Sequence, residues 1–304
     1  MSAPDISNPD PARPAAGQLQ QVSPLVRRLV APNGGPFTFT GTCSYVVGHG
    51  KVVIIDPGPD NPAHIAALLD AVKGETVSHI LVTHTHRDHS PAAPALRAAT
   101  GAPVTGCAPH HPARALALGE VAMLDAANDL AYAPDLVLAD GEVLEAAGFE
   151  LMALATPGHT MNHLCFVLPQ ENTLFSGDHV MAWSTSIVAP PDGSMAAYMA
   201  SLDRLRGRAE AIYWPGHGGP VNDPQRFVRG LATHRRQRET SILARLAAGD
   251  RRIPQIVAAI YEGLDPRLKG AAGLSVFAHL EDLVARGLAR SEGEPGLSAI
   301  FFAG

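Results

Sequence analysis

His84-Thr85-His86-Arg87-Asp88-His89 follows, after Thr83, the apolar run of residues 77–82. That run reads as a short buried strand, and the histidines begin where it ends. A loop at a rigid strand end can turn His84 and His86 to one side while Asp88 and His89 reach a point a few ångströms away. Imidazole nitrogen and carboxylate oxygen are the donors that borderline zinc takes. Three further stretches deliver the same residue types by the same device. Thr156-Pro157-Gly158-His159, Ser176-Gly177-Asp178 and Trp214-Pro215-Gly216-His217 each follow an apolar run. Small or rigid residues before each donor let the backbone approach a crowded centre. The resulting candidate metal ligands are His84, His86, Asp88, His89, His159, Asp178 and His217. Five histidines and two aspartates exceed the needs of one tetrahedral ion but suit two, with Asp178 as a bridge. His163, four residues beyond His159, is expected to support a ligand rather than to bind.

The chain around these motifs alternates short apolar runs with Gly and Pro. Residues 44–48 and 51–56 predict a hairpin turning at Gly48-His49-Gly50. Asn61 and Pro62 predict the start of a helix over residues 62–72. Further strands are expected at 143–144, 150–155, 164–168, 173–175 and 211–213, with a helix over 195–206. Interleaved strands and helices predict the α/β class, with helices covering the sheets. The texture changes near Asp223-Pro224, a good helix start, and the segment to Ala247 carries no Gly or Pro apart from Gly230. A second helix is expected from Pro254. A third carries Leu274, Phe277, Leu280, Leu283 and Val284 and stops at Gly287. Residues 288–302 offer two short strands. Three helices and a hairpin are the order of a winged helix. We therefore expect a flexible tail over 1–20, a catalytic domain over 21–234 and a small, mainly helical winged-helix-like domain over 235–304. The third helix and wing should form a dimer contact or a pocket wall rather than a DNA reader.

Composition narrows the function. Of 304 residues, 46% are hydrophobic and 17% charged, which fits a folded chain rather than a disordered one. A formal charge of −6 does not favour a polyanion overall. Cys43, Cys107 and Cys165 are sparse and odd in number, which argues against a disulfide framework. No run of eighteen apolar residues predicts a membrane span, and the first residues lack the basic start and apolar core of a secretion signal. A cytoplasmic location is expected. No GxSxG is present and no cysteine lies in a His-rich motif, so metal activation is expected rather than a protein nucleophile. Residues 226–252 hold eight arginines against Glu239 and Asp250. They read first as a solvated helix face plus packing against the catalytic domain, and second as a phosphate-tracking patch. His179 reads equally as a substrate contact or a buried pocket histidine. Tyr213 and Trp214 read as packing.

The spaced HxHxDH, His, Asp, His set resembles the metallo-β-lactamase superfamily from about Leu25 to Gly219. The helices and wing resemble its lactamase-β-like subgroup with an appended winged helix, so the likeness covers almost all of the chain after residue 25. The resemblance implies an αββα sandwich and a glyoxalase II-like site. By it, His84, His86 and His159 hold one metal, Asp88, His89 and His217 hold a second, and Asp178 bridges. Asp56, in Ile55-Asp56-Pro57-Gly58, orients a histidine ligand. Two divalent ions are implied, zinc first, with manganese or iron as alternatives. Di-iron redox members put a carboxylate where His86 stands, which favours hydrolysis. True β-lactamases generally lack the bridging aspartate, so Asp178 argues against antibiotic hydrolysis. Two departures stand out: Gly41-Thr42-Cys43-Ser44-Tyr45 where relatives often read Gly-Thr-Asn-x-Tyr, and Ser90-Pro91-Ala92 where they often read x-Gly-Gly. The expected activity is dinuclear hydrolysis of a small ester, thioester or lactone by a metal-bridging hydroxide, which Asp88 and Asp178 hold in line. A metal-dependent endoribonuclease footed on the arginine run is the alternative. A winged-helix nucleic-acid-binding regulator comes third. The expected partner is a small molecule, with RNA under the alternative, no membrane, and a homodimer as a further expectation.

Overall fold

The computed structural model describes residues 13–115 and 127–304. Residues 1–12 of the expected tail lie outside the described residues. Its last part is pinned: Gly17 donates its N–H to the Val30 carbonyl at 2.9 Å. Among the described residues, seven strands form a first sheet: β1 (Gln20–Gln21), β2 (Val26–Val30), β3 (Cys43–His49), β4 (Lys51–Ile55), β5 (Thr76–Val82), β6 (Val104–Gly106) and β7 (Leu136–Val137), in that spatial order. β2, β3 and β4 pair antiparallel, while β4 through β7 run parallel. Two helices, α1 (Pro62–Ala71) and α2 (Ala93–Thr100), form the β4-to-β5 and β5-to-β6 crossovers. Asn61 caps α1, its Oδ1 accepting from the N–H groups of Ala63 and His64 at 3.0 and 3.1 Å.

The second sheet comprises β8 (Val143–Ala146), β9 (Phe149–Ala155), β10 (Leu164–Leu168), β11 (Thr173–Gly177) and β12 (Ile212–Pro215), ordered β12-β11-β10-β9-β8. Strand alternation shows how it is buried. Leu164, Phe166 and Leu168 of β10 join the core between the sheets, together with Leu151, Ala153, Phe175 and Trp214. The intervening Cys165 and Val167 face a second core with Leu154, Leu174 and Tyr213. Tyr198, Leu202 and Leu205 of α3 (Met195–Arg206) close that second core. Both faces of this sheet are covered, and the architecture is an αββα sandwich.

The C-terminal part contains α4 (Pro224–Ala247), α5 (Ile253–Ile260), α6 (Lys269–Ala285) and the antiparallel hairpin of β13 (Ala289–Ser291) with β14 (Phe301–Ala303). Residue 235, where we expect the boundary, lies inside α4. Val228, Leu231 and Ala232 of that helix pack in the second core, whereas Ile242 and Leu246 pack in a third core with α5, α6 and the hairpin. One rigid helix thus belongs to both parts. Among the described residues, no helix is long and apolar enough to cross a membrane.

Candidate metal centre

The donors stand on loops at the ends of β5, β9, β11 and β12. Two glycines allow the approach. A methyl on Gly216 would collide with the Asp178 carboxylate and the His89 ring, and one on Gly177, whose φ is +47°, with the His163 ring. Asp56 follows β4 with φ 50°, a left-handed conformation that costs a non-glycine residue energy. The bonds that hold it there are complete. Its Oδ1 accepts from the Thr83 N–H at 2.8 Å, and its Oδ2 from the Thr83 hydroxyl and His89 Nδ1, both at 2.9 Å.

These bonds fix the imidazole tautomers. Thr83 spends its proton on Asp56, so its oxygen accepts from His84 Nδ1 at 3.0 Å, and His84 Nε2 carries a lone pair. His159 Nδ1 donates to the Ile187 carbonyl at 2.5 Å, which leaves its Nε2 as a lone pair, and His217 Nδ1 donates to the Gly41 carbonyl at 3.3 Å, which turns its Nε2 toward the other donors. His84 Nε2 and His159 Nε2 both lie 3.1 Å from His86 Nδ1. His89 Nε2 and Asp178 Oδ1 are buried with no hydrogen-bond partner. His217 Nε2 faces Asp88 at 3.2 Å and Asp178 at 3.3 Å; His89 Nε2 faces them at 3.4 and 3.5 Å. Converging lone pairs and carboxylates repel one another unless cations lie between them, so the donor set fits divalent metal. The seven expected ligands fall into two groups: His84, His86, His159 and Asp178, then Asp88, His89 and His217. Asp178 belongs to the first and touches the second.

The crowded donors shift one another's titration in opposite directions. Burial and neighbouring imidazoles lower His86 to a pKa of about 3. Burial opposes charge on His217 too, but Asp178 and Asp88 outweigh it and raise its pKa to about 10. His163 stays outside both groups. Its Nδ1 donates to Thr156 at 2.9 Å and its Nε2 accepts the Asp178 N–H at 3.2 Å, so it seats the Asp178 backbone. His179 is fully buried against the Tyr198 ring and does not line the cavity. Burial lowers its pKa to about 3.

Sequence reading missed several neighbours. Thr42 donates to Asp88 Oδ2 at 3.0 Å and accepts from Asn33 Nδ2 at 2.9 Å. Asn33 Oδ1 in turn accepts the Thr42 N–H at 2.9 Å. Cys43, the departure beside it, is buried and donates its N–H to the Gly216 carbonyl at 2.7 Å. At the second departure, Ser90 donates to Asp129 at 2.7 Å. A cavity of about 600 Å³ opens on His86, Asp88, His159, Asp178 and His217, with Phe37, Ile187 and Leu274 on its walls. α6 is therefore a pocket wall. Phe37 stands in a loop without periodicity, and Leu274 reads from the sequence only as helix core.

An αββα sandwich with clustered imidazoles and carboxylates at its strand ends defines a class of metal-dependent hydrolases. The chain belongs to the metallo-beta-lactamase superfamily, whose family match spans residues 37–217, and residues 253–297 match the beta-lactamase associated winged helix domain. It is an enzyme, a hydrolase of that superfamily. It is 28% identical to "Lactamase-like protein adaB" of Aspergillus niger over 98% of this chain and 92% of that one. It is 31% identical to "Atrochrysone carboxyl ACP thioesterase dmxR1" of a Cryptosporiopsis species over 77% of this chain and 66% of that one. Among solved structures, a metallo-beta-lactamase family protein of Thermus thermophilus superposes with a TM-score of 0.74 at 25% identity, covering 93% of this chain and all of that one. A beta-lactamase domain protein of Burkholderia ambifaria gives 0.76 at 20% identity, covering 96% and 95%.

Proposed function

We propose that this chain is a dinuclear-metal hydrolase of a small thioester, in preference to an oxygen ester or a lactone. The observation that carries the reading is Asp178, which stands between two donor groups at the floor of an apolar cavity. Two divalent cations bound there, zinc first and manganese or iron as alternatives, would supply Lewis acidity and a water that ionises near neutral pH. His84, His86 and His159 would hold one, and Asp88, His89 and His217 the other, with Asp178 shared. Asp56 orients His89, and His163 seats Asp178. In the reaction a water oxygen joins the acyl carbon, the carbon–sulfur bond breaks and the thiol leaves with a proton. Asp88 is the more exposed carboxylate, 25% against 9% for Asp178, and it lines the cavity. Thr42 holds its Oδ2, and we assign to its Oδ1 the proton that leaves the attacking water.

Relatives named as thioesterases, at 29–31% identity, support the thioester. The arginines of α4 do not support RNA. At roughly 100° per residue, Arg226, Arg229 and Arg236 share one exposed face, nearly opposite the face on which His234, Arg235 and Arg238 line the pocket. No single strip leads from solvent to the donors. The three cysteines are free and buried, which supports a reducing, cytoplasmic setting. The test is a panel of acyl thioesters, phenyl esters, lactones and single-stranded RNA, assayed before and after chelation. We expect thioester turnover that chelator removes and zinc or manganese restores. RNA cleavage without thioester turnover overturns the reading.

A further inference from the structure

Arg235 and Arg238 of α4 line a second lobe of about 460 Å³ that also reaches His159 and Asp178, walled by Trp183, Tyr261 and Leu264. Arg235 is only 3% exposed. Its guanidinium donates to the Ser275 hydroxyl and the Ser186 carbonyl and lies 5.2 Å from the Tyr198 ring centre. Arg238, half-buried, lies 4.0 Å over the Tyr261 ring. The Nε of each is buried without an acceptor. Among the described residues neither meets a carboxylate, whereas Arg236 pairs with Asp203 and Arg245 with Asp250. Removing a guanidinium from water without a counter-charge is costly, and a bound anion removes that cost. The planar fork of arginine matches carboxylate and phosphate oxygens.

We infer that this lobe is an anion subsite of the substrate pocket, where a carboxylate or phosphate on an apolar stem meets Arg235 and Arg238 while the scissile carbonyl lies at Asp178. The subsite deepens the thioesterase reading, on which it rests for the reaction but not for binding. Arg235 also braces the loop whose Ile187 carbonyl fixes His159, so Arg238 is the cleaner probe. On metal-loaded, full-length protein, two pairs of thioesters locate the charge. S-phenyl pentanethioate against the S-phenyl half-thioester of glutarate places it on the acyl side. Acetyl pantetheine against acetyl 4′-phosphopantetheine places it on the thiol side. We expect at least a tenfold preference in kcat/KM, expressed in KM, for the charged member of one pair. Arg238→Gln should reduce that preference below twofold, and Arg238→Lys should restore part of it. A merely structural role would lower both members alike and leave the ratio unchanged, which overturns the inference. So do wild-type ratios near one in both pairs with no calorimetric binding of glutarate or inorganic phosphate. Should no thioester turn over, while glutarate or phosphate binds wild type at least tenfold more tightly than Arg238→Gln, the thioesterase reading fails and the subsite stands.

Discussion

Asp56 holds a strained backbone conformation because both its oxygens are engaged, and one of them sets the tautomer of His89. Asp56→Asn keeps the shape but loses an acceptor that can serve Thr83 and His89 together. We expect metal affinity to drop about 10–100-fold with an unchanged far-ultraviolet circular dichroism spectrum, as read by metal titration. Substitution of the donors themselves is harsher. Asp88→Ala or His86→Ala should remove turnover while most of the fold survives, and a normal rate in either variant would discard the mechanism. Two buried histidines that are not among the donors contribute to behaviour in acid. His64 and His279 are 2% and 1% exposed, and burial lowers their pKa to about 4 and about 3. Each folded value lies below the unfolded value near 6.5. Between the two values the unfolded chain takes up a proton that the folded chain refuses. Stability from these groups is therefore full above about pH 6.5 and falls on acidification, by on the order of 1–3 kcal/mol per group by pH 5. His279→Leu should shrink that loss, as measured by urea midpoints at pH 7 and pH 5. Equal losses in variant and wild type would contradict it.

At the scale of elements, the strand-end turn is the unit that builds the site, and its glycine is as demanding as its donor. Gly216→Ala drives a methyl into Asp178 and His89. The turn can relieve that only by moving His217. We expect loss of bound metal and at least a hundredfold fall in turnover, with the melting profile close to wild type; full metal occupancy in the variant would refute the crowding argument. The same turn explains what could be read in advance. His159, Asp178 and His217 each follow a buried apolar run and a Gly, and the four donors of residues 84–89 begin one residue after another such run, so local pattern alone places all seven at strand ends. β10 and α3 are equally legible, β10 as a short continuous apolar run and α3 because its apolar residues repeat at helix spacing. β1 and β7 are not, being two residues long and paired only by their neighbours' register. Thr42 and Phe37 escape for a related reason. Their partners lie far along the chain, and a loop has no period to show which side faces the site. Arg235 falls on the packing side of the expected helix face, buried against Tyr198 and Ser186, but the polar run does not show which of its arginines packs.

At the scale of the whole molecule, the donors come from one part and the pocket walls from both. α4 ties the parts together by sharing its two halves between separate cores. Gln225 on α4 adds bonds to the carbonyls of Arg208 and Glu210 at 3.0 and 2.9 Å. Arg114 of the catalytic part meets Glu281 of α6 at 2.6 Å. Held in this way, α6 fixes the width of the cavity without supplying a donor. Leu274 is the place to test that division of labour, since it lines the larger lobe and is not among the donors. Leu274→Trp adds a large rigid ring to a cavity of about 600 Å³. If the wall only shapes the pocket, bound metal stays at the wild-type level while kcat/KM falls at least tenfold through KM. Long acyl chains should suffer more than acetyl, because a short chain needs less of the lobe. Metal loss in Leu274→Trp would instead mean that α6 supports the donors, and an equal penalty for every chain length would place the acyl group elsewhere.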